Sequence, residues 1–267
     1  MKTPCKVGKN TNQMRQEPLI LAVETSGRIG SVAVALGEKI LGETTFSGLM
    51  RHSAEIFPAI CALLEDFHRK PGDIEQVHIS VGPGSFTGLR IAVALAKTMH
   101  LANKTKIVAV DTMDVIASNV SDYLRHPSTH IHSLATILDA KRGQFYLAVY
   151  QLHPPGSNKA GFVVGDIGFE KILPDCLMTT SQFLEQFAND TEPIWLLGEG
   201  LLYHREAFEC EGVAFLPEDY WSPHASKVHQ LGWQMAQKGL FTDPLTLQPL
   251  YIRRPEAEEK WKQRNVP

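Results

Sequence analysis

The order of predicted strands and helices in the first 110 residues constrains the fold more than any other sequence feature. Three apolar, alternating segments separated by short turns predict an antiparallel meander of strands, over residues 19–25, 31–36 and 40–46. A helix is predicted from about Ser53, followed by a strand over 76–81, a helix over 86–101 and a strand over 106–110. Because strands joined by a helical crossover run parallel, the last two strands are predicted to be parallel.

The resulting order β-β-β-α-β-α-β is that of the ribonuclease-H-like unit found in actin-like and sugar-kinase folds. A weaker repeat follows, with strands over 134–139 and 144–151 on either side of a glycine-containing turn. Two such units packed face to face predict an α/β protein of the actin-like ATPase (ASKHA) fold with two subdomains. A loop is predicted over 152–161 and a strand over 194–197, and helices are predicted over 180–188, 201–208 and 224–238. The linker between the subdomains is predicted between 111 and 133. The predicted domain limits are a disordered tail over 1–17 and subdomains over 18–115 and 116–267.

A glycine-rich segment joins the predicted strand 76–81 to the helix that follows it. Its sequence from Val81 to Arg90 is VGPGSFTGLR, with glycines spaced as G-x-G-x-x-x-G. The dinucleotide-binding pattern fails by one residue, and no Lys-Ser/Thr pair follows to complete a phosphate loop. Ser85 is not centred in a G-x-S-x-G nucleophile elbow either. The segment therefore matches none of the common phosphate-binding or hydrolase motifs.

The helix over 86–101 is apolar on two opposite sides. One side carries Ile91, Leu95, Thr98 and Ala102, and the other carries Phe86, Leu89, Val93, Ala96 and His100. Arg90 and Lys97 lie on one flank between them. One side can cover the chain's own sheet, so the second side needs another cover. Two readings stay open at this point: a helix buried within one large domain, or a helix with one face in a protein–protein interface.

Charge, cysteine content and hydropathy exclude several classes of protein. The chain has 267 residues, a formal charge of −3 and a pI of about 6.4, so any contact with nucleic acid is expected to be local or shared with a partner. Its four cysteines lie far apart, which argues against disulfides and a cysteine zinc site. The polar first 17 residues lack the apolar core of a secretory signal, and no segment has the length of a membrane span. A cytoplasmic location is expected.

Five segments resemble the TsaB (YeaZ) family, in the order in which that family has them. They are LAVETS from Leu21, RHSAE from Arg51, GPGSFTGLR from Gly82, DAKRG from Asp139 and PLYIR from Pro249. The resemblance extends from residue 19 to the C-terminus. It implies a cytosolic protein of the actin-like ATPase fold that is a non-catalytic partner of the transferase TsaD. TsaD forms N6-threonylcarbamoyladenosine beside the anticodon of tRNAs that read codons beginning with A.

The resemblance also implies a set of partners and an interface. The family works with TsaD and the small ATPase TsaE, reaches tRNA through the complex, and forms homodimers when TsaD is absent. Its contacts are made by the first two helices, here about 53–68 and 86–101. The interface residues expected on this basis are His52, Glu55, Ile56, Phe86, Leu89, Arg90, Val93, Ala96 and Lys97. No cofactor is expected on this chain, whereas ATP or ADP and a metal ion are expected on the partner subunits.

A nucleotide site of the chain's own is the alternative that the fold raises. Actin-like kinases carry an acidic residue at the end of the first strand, and turn amides cradle phosphate. The residues at the two corresponding corners are Glu24, Thr25, Ser26, Asp139 and Arg142. The family usually has Asp at the first corner, so Glu24 is a departure that would crowd a metal ion. The glycine-rich adenosine segment is reduced to Leu197–Leu201. We interpret the corners as remnants of a nucleotide site, and keep an ATP-dependent kinase-like enzyme as the alternative function.

Metal and peptidase sites find little support in the sequence. Relatives of TsaD bind a metal through H-x-x-x-H, and Thr112 and Ile116 stand at those positions here, where neither can replace imidazole. Three clustered histidines, His126, His130 and His132, are expected to be solvated loop residues. No Ser-His-Asp arrangement indicates a peptidase. The C-terminal segment is locally basic and is expected to be a mixed-charge helix, with Trp261 as its anchor and a role in tRNA or partner binding as the alternative; its cations are Arg253, Arg254, Lys260, Lys262 and Arg264.

Overall fold

Two β-sheets with six α-helices make up the part of the chain that the structure describes. The computed structural model describes residues 17–46, 52–125, 130–154, 156–159, 161–188 and 192–253, with only the backbone of 52–54. The first sheet contains β1 (Leu19–Glu24), β2 (Gly30–Leu36), β3 (Lys39–Phe46), β4 (Gln76–Ser80) and β5 (Lys106–Val110). The second contains β6 (Ser133–Asp139), β7 (Phe145–His153), β8 (Phe162–Val164), β9 (Ile167–Met178), β10 (Ile194–Leu197) and β11 (Val213–Phe215). The helices are α1 (His52–Asp66), α2 (Phe86–Asn103), α3 (Thr112–Ser118), α4 (Val120–Tyr123), α5 (Thr180–Phe187) and α6 (Ala225–Gln237).

The two sheets have the same topology. In the first, the order is β3-β2-β1-β4-β5, with an antiparallel β1–β2–β3 meander and parallel β1, β4 and β5. In the second, the order β8-β9-β7-β6-β10-β11 repeats this arrangement, with an antiparallel β6–β7–β9 meander and parallel β6, β10 and β11. The strands β9-β7-β6-β10-β11 thus correspond one by one to β3-β2-β1-β4-β5. The predicted duplicated ribonuclease-H-like fold is confirmed.

Helices cover both faces of the first sheet. Helices α1 and α2 pack on its outer face and form one hydrophobic core with it, whereas α6 packs on the inner face against β1, β2, β4 and β5. Helix α3 packs against β6 and β7 of the second sheet and against α6. A second core is continuous from Ala22 and Val108 of the first sheet to Leu134 and Val149 of the second. The two sheets are therefore joined through buried apolar contacts.

Residues 240–253, here called the C-terminal strap, cross from the first sheet to the second. Thr242 N–H donates to Ile107 O at the edge of β5, at 2.8 Å, and Leu250 N–H donates to Val81 O at 2.7 Å. Arg253 then donates to Ala140 O in the β6–β7 turn. Helix α6 and most of the strap thus lie against the first sheet although they follow the second in the chain. The predicted domain limits stay a prediction.

Most predicted strands and helices agree with the structure within two residues, and the exceptions have physical causes. The predicted linker over 111–133 contains α3 and α4, and the helix predicted over 201–208 consists of two 3-10 turns, over 199–202 and 205–208. Strand β9 was missed because Lys171, Pro174 and Asp175 interrupt its apolar pattern. Strand β8 pairs only with residues 167–169 of β9, so among described residues the later part of β9, which contains Pro174, has no strand on that side. At such a free edge the missing N–H of proline costs little.

Candidate functional site

The first predicted nucleotide corner is buried within the protein. Glu24, Thr25 and Ser26 are at most 4% exposed. The Glu24 carboxyl group accepts hydrogen bonds from the Ser26 backbone N–H and hydroxyl and from the Ser80 hydroxyl. Burial raises the pKa of Glu24, and these hydrogen bonds oppose that shift. The carboxyl group is thus bonded inside the fold, where it is not available to a metal ion or phosphate.

The glycine-rich segment fills the space above that corner. Ser85 N–H donates to Ser26 O at 2.8 Å, and the Thr25 hydroxyl donates to Gly88 O at 2.8 Å. A Cβ atom on Gly84 would lie 2.7 Å from Ser26 O, and one on Gly88 would lie 1.7 Å from Thr25 O. These glycines therefore serve close packing of the segment on the end of β1. In this structure the chain's own loop occupies the place that the nucleotide-site hypothesis assigns to phosphate.

The second corner is held by groups of its own half of the chain. Asp139 accepts from Lys141 N–H at 2.7 Å and pairs with Lys141 Nζ, with His204 at 3.8 Å. Burial of Asp139 raises its pKa, but the hydrogen bonds from Lys141 outweigh this effect and lower the pKa. Lys141 and Arg142 both adopt positive φ, at 64° and 58°. Both side chains are exposed at the turn.

Between the two halves, the β1–β2 turn rests directly on the predicted adenosine segment. Arg28 N–H donates to Glu199 Oε2 at 2.8 Å, and the Ser222 hydroxyl donates to Glu199 Oε1 at 2.9 Å. The Arg28 guanidinium also lies over the Tyr203 ring, 5.3 Å from its centroid. A neighbouring cavity of about 560 Å³ is lined by Arg28 and His224 but also by three carboxylate residues, Glu199, Glu218 and Asp219. Because these three carboxylates repel the negative charges of a nucleoside triphosphate, the cavity is a poor match for that ligand.

The position compared with the TsaD metal site is apolar and closed. Thr112 and Ile116 are fully buried in α3. Among the residues that the structure describes, no group of three or more His, Cys, Asp or Glu side chains could hold a metal ion. The described cysteines, Cys61, Cys176 and Cys210, are free. None of the described helices is long and apolar enough to cross a membrane.

Helix α2 buries several residues of the predicted interface against the protein's own sheet, and the interface itself stays a prediction. Leu89, Val93 and Ala96 are at most 8% exposed. Val93 and Ala96 belong to the hydrophobic core of the first sheet together with Ile56 of α1, and Leu89 packs beside that core. Leu89 packs beside the Gly82 backbone, since a Cβ on Gly82 would lie 3.0 Å from its side chain. These four side chains therefore contribute little to the exposed surface of the helix pair. Residues of both predicted apolar sides are buried, since Leu95 of one side lies in the same core as Val93 and Ala96 of the other. The outward face is instead the flank that carries Arg90 and Lys97, with Phe86 at its edge.

The outward face of the two helices carries other residues of the predicted set. Phe86 is 40% exposed, Arg90 is exposed, and Glu55 and Lys97 are half-buried. The sequence reasoning missed the apolar residues that complete this face: Phe57 at 57% exposure, Leu101 at 75%, and exposed Pro58, Cys61, Ala62 and Ala94. We call this surface, from Phe57 on α1 to Leu101 on α2, the outer helical face. The side chain of His52 lies outside the described residues.

The remaining predicted features fall on loops. His130 and His132 are exposed and line a cavity with His153, while His153 itself pairs with Glu170 at 2.7 Å. His132 lies 3.8 Å from Glu192, a different carboxylate from the partner of His153. His126 and the basic residues from Arg254 onward lie outside the described residues. Arg253 is described, and its guanidinium is engaged by the β6–β7 turn.

One half-buried ionic cluster was not anticipated. Lys171 Nζ lies 3.2 Å from Asp111, 2.7 Å from Asp114 and 2.7 Å from Asp175. Burial raises the pKa of Asp111 to about 7, and Asp175 adds to this shift whereas Lys171 opposes it. The cluster joins the end of β5 and the start of α3 to β9. Its members are up to 64 residues apart in the chain, so no local pattern could reveal it.

Comparison with known proteins agrees with this geometry. Residues 39–160 match the family described as TsaD, tRNA N6-adenosine threonylcarbamoyltransferase. The chain is 29% identical over 247 residues to the tRNA threonylcarbamoyladenosine biosynthesis protein TsaB of Bacillus subtilis, covering 91% of this chain and 97% of that protein. It is also 29% identical over 242 residues to TsaB of Escherichia coli, covering 90% and 97%.

Two solved structures share the fold. A Pseudomonas aeruginosa protein described as similar to peptidase YEAZ superposes with a TM-score of 0.71, at 19% identity, over 88% of this chain and 100% of that chain. YeaZ of the same organism gives a TM-score of 0.69, also at 19% identity, over 88% and 99%. The duplicated sheet order places the protein in the actin-like ATPase fold class. Within that class, the chain is similar in sequence to proteins named TsaB over nearly its whole length and in fold to YeaZ.

Proposed function

We propose that the protein acts in tRNA threonylcarbamoyladenosine biosynthesis as a non-catalytic partner of a TsaD-type transferase. Its relatives in Bacillus subtilis and Escherichia coli are named for this pathway, and they match nearly the whole chain. The similarity of residues 39–160 to the TsaD family supports a partner of related fold. A TsaE-type ATPase, a homodimer of the free chain, access to tRNA through the complex and a cytoplasmic location are parts of the same proposal.

The observation that carries the proposal is the outer helical face. Phe57, Phe86 and Leu101 expose 57%, 40% and 75% of their surface although both helices already bury their opposite sides against β-strands. Fully burying one such side chain contributes roughly 1.5–3 kcal/mol. Three exposed large apolar side chains on adjacent helices indicate a surface that another protein covers. The packing of α1 and α2 on one sheet holds the face in a fixed shape.

The chain's own segment 82–88 covers the first corner, and this supports a role without catalytic activity. Phosphate at that corner would require the segment 82–88 to leave its hydrogen bonds with Thr25 and Ser26. Nucleotide and metal are therefore assigned to the partner subunits. Calorimetry of the isolated chain with ATP and magnesium is expected to show no binding in the micromolar range. Micromolar binding would favour the alternative, a kinase-like enzyme of the same fold.

The docking face is tested by Ala94→Arg. Ala94 is exposed at the middle of α2, so the long charged side chain obstructs a partner without entering the protein's own core. We expect loss of co-purification with the cognate TsaD-type protein and loss of tRNA modification in a reconstituted assay. The assay is run with each component omitted in turn.

The matched control is Gln237→Arg, at an exposed position at the end of α6 on the other side of the sheet. It adds the same side chain to a helix that the proposal leaves free. Both variants are checked by thermal unfolding. If Ala94→Arg is folded, binds the transferase as the natural chain does and supports modification, the assigned face is wrong.

A further inference from the structure

Arg90 is held in one orientation on the outer helical face by two aromatic side chains. Its guanidinium carbon lies 3.7 Å from the centroid of the Phe86 ring. Its Nε donates to the Tyr251 hydroxyl at 3.0 Å, and the Tyr251 ring packs on Phe86 with centroids 5.3 Å apart. Stacking and one hydrogen bond thus fix a side chain that is otherwise among the most flexible.

The C-terminal strap fixes Tyr251 independently of α2. On one side, Leu250 N–H donates to Val81 O at 2.7 Å. On the other side, Arg253 donates from Nη1 to Ala140 O and to Lys141 O, and from Nη2 to Gln144 Oε1. The hydroxyl that accepts from Arg90 is therefore anchored to both sheets. The position of the guanidinium is determined before any partner arrives.

In the part of the chain that the structure describes, no protein group accepts a hydrogen bond from the two terminal nitrogens of the Arg90 guanidinium. A guanidinium has five N–H groups, and only the one on Nε is used in the contact with Tyr251. Among described residues, no carboxylate forms an ion pair with Arg90. The two terminal nitrogens thus offer paired donors from an exposed position. Such a planar fork matches a carboxylate in a bidentate arrangement.

We propose that Arg90 is the specificity-determining anchor of the outer helical face, and that it binds a carboxylate side chain on the TsaD-type partner. This inference rests on the proposed function. The surroundings favour a protein carboxylate: Arg90 lies one helical turn from exposed Ala94 and beside Phe86. Helix α1 on the same side carries the acidic residues Glu55, Glu65 and Asp66, which repel an extended polyanion such as a polyphosphate backbone more strongly than a single carboxylate.

The test measures affinity for the cognate TsaD-type protein at low and high salt, without tRNA, using the full-length chain. Arg90→Gln is expected to weaken binding about 10- to 100-fold and to reduce the salt dependence, because one charge-assisted pair is lost. Arg90→Lys keeps the charge but loses the fork and the Tyr251 contact, so it restores only part of the affinity. Tyr251→Phe keeps the ring and removes the hydroxyl, and is expected to weaken binding about threefold through lost preorganisation.

Lys39→Gln is the control, since it removes one positive charge from the exposed start of β3, at the opposite edge of the first sheet. If the natural chain does not bind the transferase, the proposed function fails. If it binds and Arg90→Gln binds equally well, only the Arg90 inference fails. The inference is also overturned if the loss appears only when tRNA is added, which would assign the guanidinium to phosphate. If a chain with Glu256→Gln, Glu258→Gln and Glu259→Gln loses as much affinity for the transferase, the guanidinium is assigned to a carboxylate of the protein's own C-terminal segment.

Discussion

Replacing Gly88 by alanine distinguishes a closed first corner from an open phosphate site. Gly88 lies in the first turn of α2, where helix propensity alone favours alanine by about 1 kcal/mol. In the structure, however, the added Cβ would lie 1.7 Å from Thr25 O. A close carbon–oxygen contact is about 3.3 Å, so the start of α2 would have to withdraw by roughly 1.6 Å. Such a movement breaks the hydrogen bond from the Thr25 hydroxyl to Gly88 O.

Overpacking of a buried site costs typically 1–3 kcal/mol and sometimes more, and the lost hydrogen bond adds about 1 kcal/mol. After the gain in helix propensity of about 1 kcal/mol, we expect Gly88→Ala to destabilise the protein by about 1–3 kcal/mol. For a chain of this size, that corresponds to a decrease in Tm of roughly 2–12 °C. Thermal unfolding followed by circular dichroism measures the change.

Gly72→Ala is the matched control, because no atom lies within 4 Å of the Cβ position and its φ is not positive. It is expected to leave stability unchanged or to raise it by up to about 1 kcal/mol. A Gly88→Ala protein as stable as the natural chain, or more stable, would refute the reasoning. It would mean that the glycine-rich segment stands away from β1 and leaves the corner open.

Two further predictions concern the ionic cluster around Lys171. The pKa of Asp111, about 7 in the folded protein, lies above its usual value of 3.8, so its contribution to stability is lost as pH rises from about 4 through 7. Asp111→Asn imitates the protonated form and can still cap α3, so its Tm is expected to match that of the natural chain below about pH 4 and to exceed it increasingly as the pH rises to 8. A Tm at pH 8 no higher than that of the natural chain would contradict this. Lys171→Met leaves three carboxylates without their cation and is expected to cost about 3–5 kcal/mol at pH 7, measured by denaturant unfolding. Lys238→Met, at an exposed position after α6, is the control for the second variant, and equal stabilities of the two would show that the cluster contributes nothing.

The fold could be predicted largely from local patterns. Period-2 alternation over 31–36 predicts a strand, and the apolar runs over 76–81 and 106–110 are predicted as strands because they are too short for helices. The element order then leaves few topologies, since crossover connections are right-handed and short. Strand β9 escaped this reasoning because its polar residues are satisfied by partners far away in the chain. Lys171 in a strand is explained only by Asp111 and Asp114 of another element.

The candidate site was predicted in part. The sequence by itself determined that α2 has two apolar sides and that Arg90 lies between them, because helical periodicity follows from residue spacing alone. Only the tertiary structure decided which residues are buried. Leu95 of one side and Val93 and Ala96 of the other pack in the same core, whereas Phe86, Ala94 and Leu101 face outward. Likewise, only the structure brought Tyr251 to Arg90 across 161 residues. The physical reason is that residue spacing determines which residues share a side of a helix, whereas the elements that pack against the helix in the folded protein determine which side is buried.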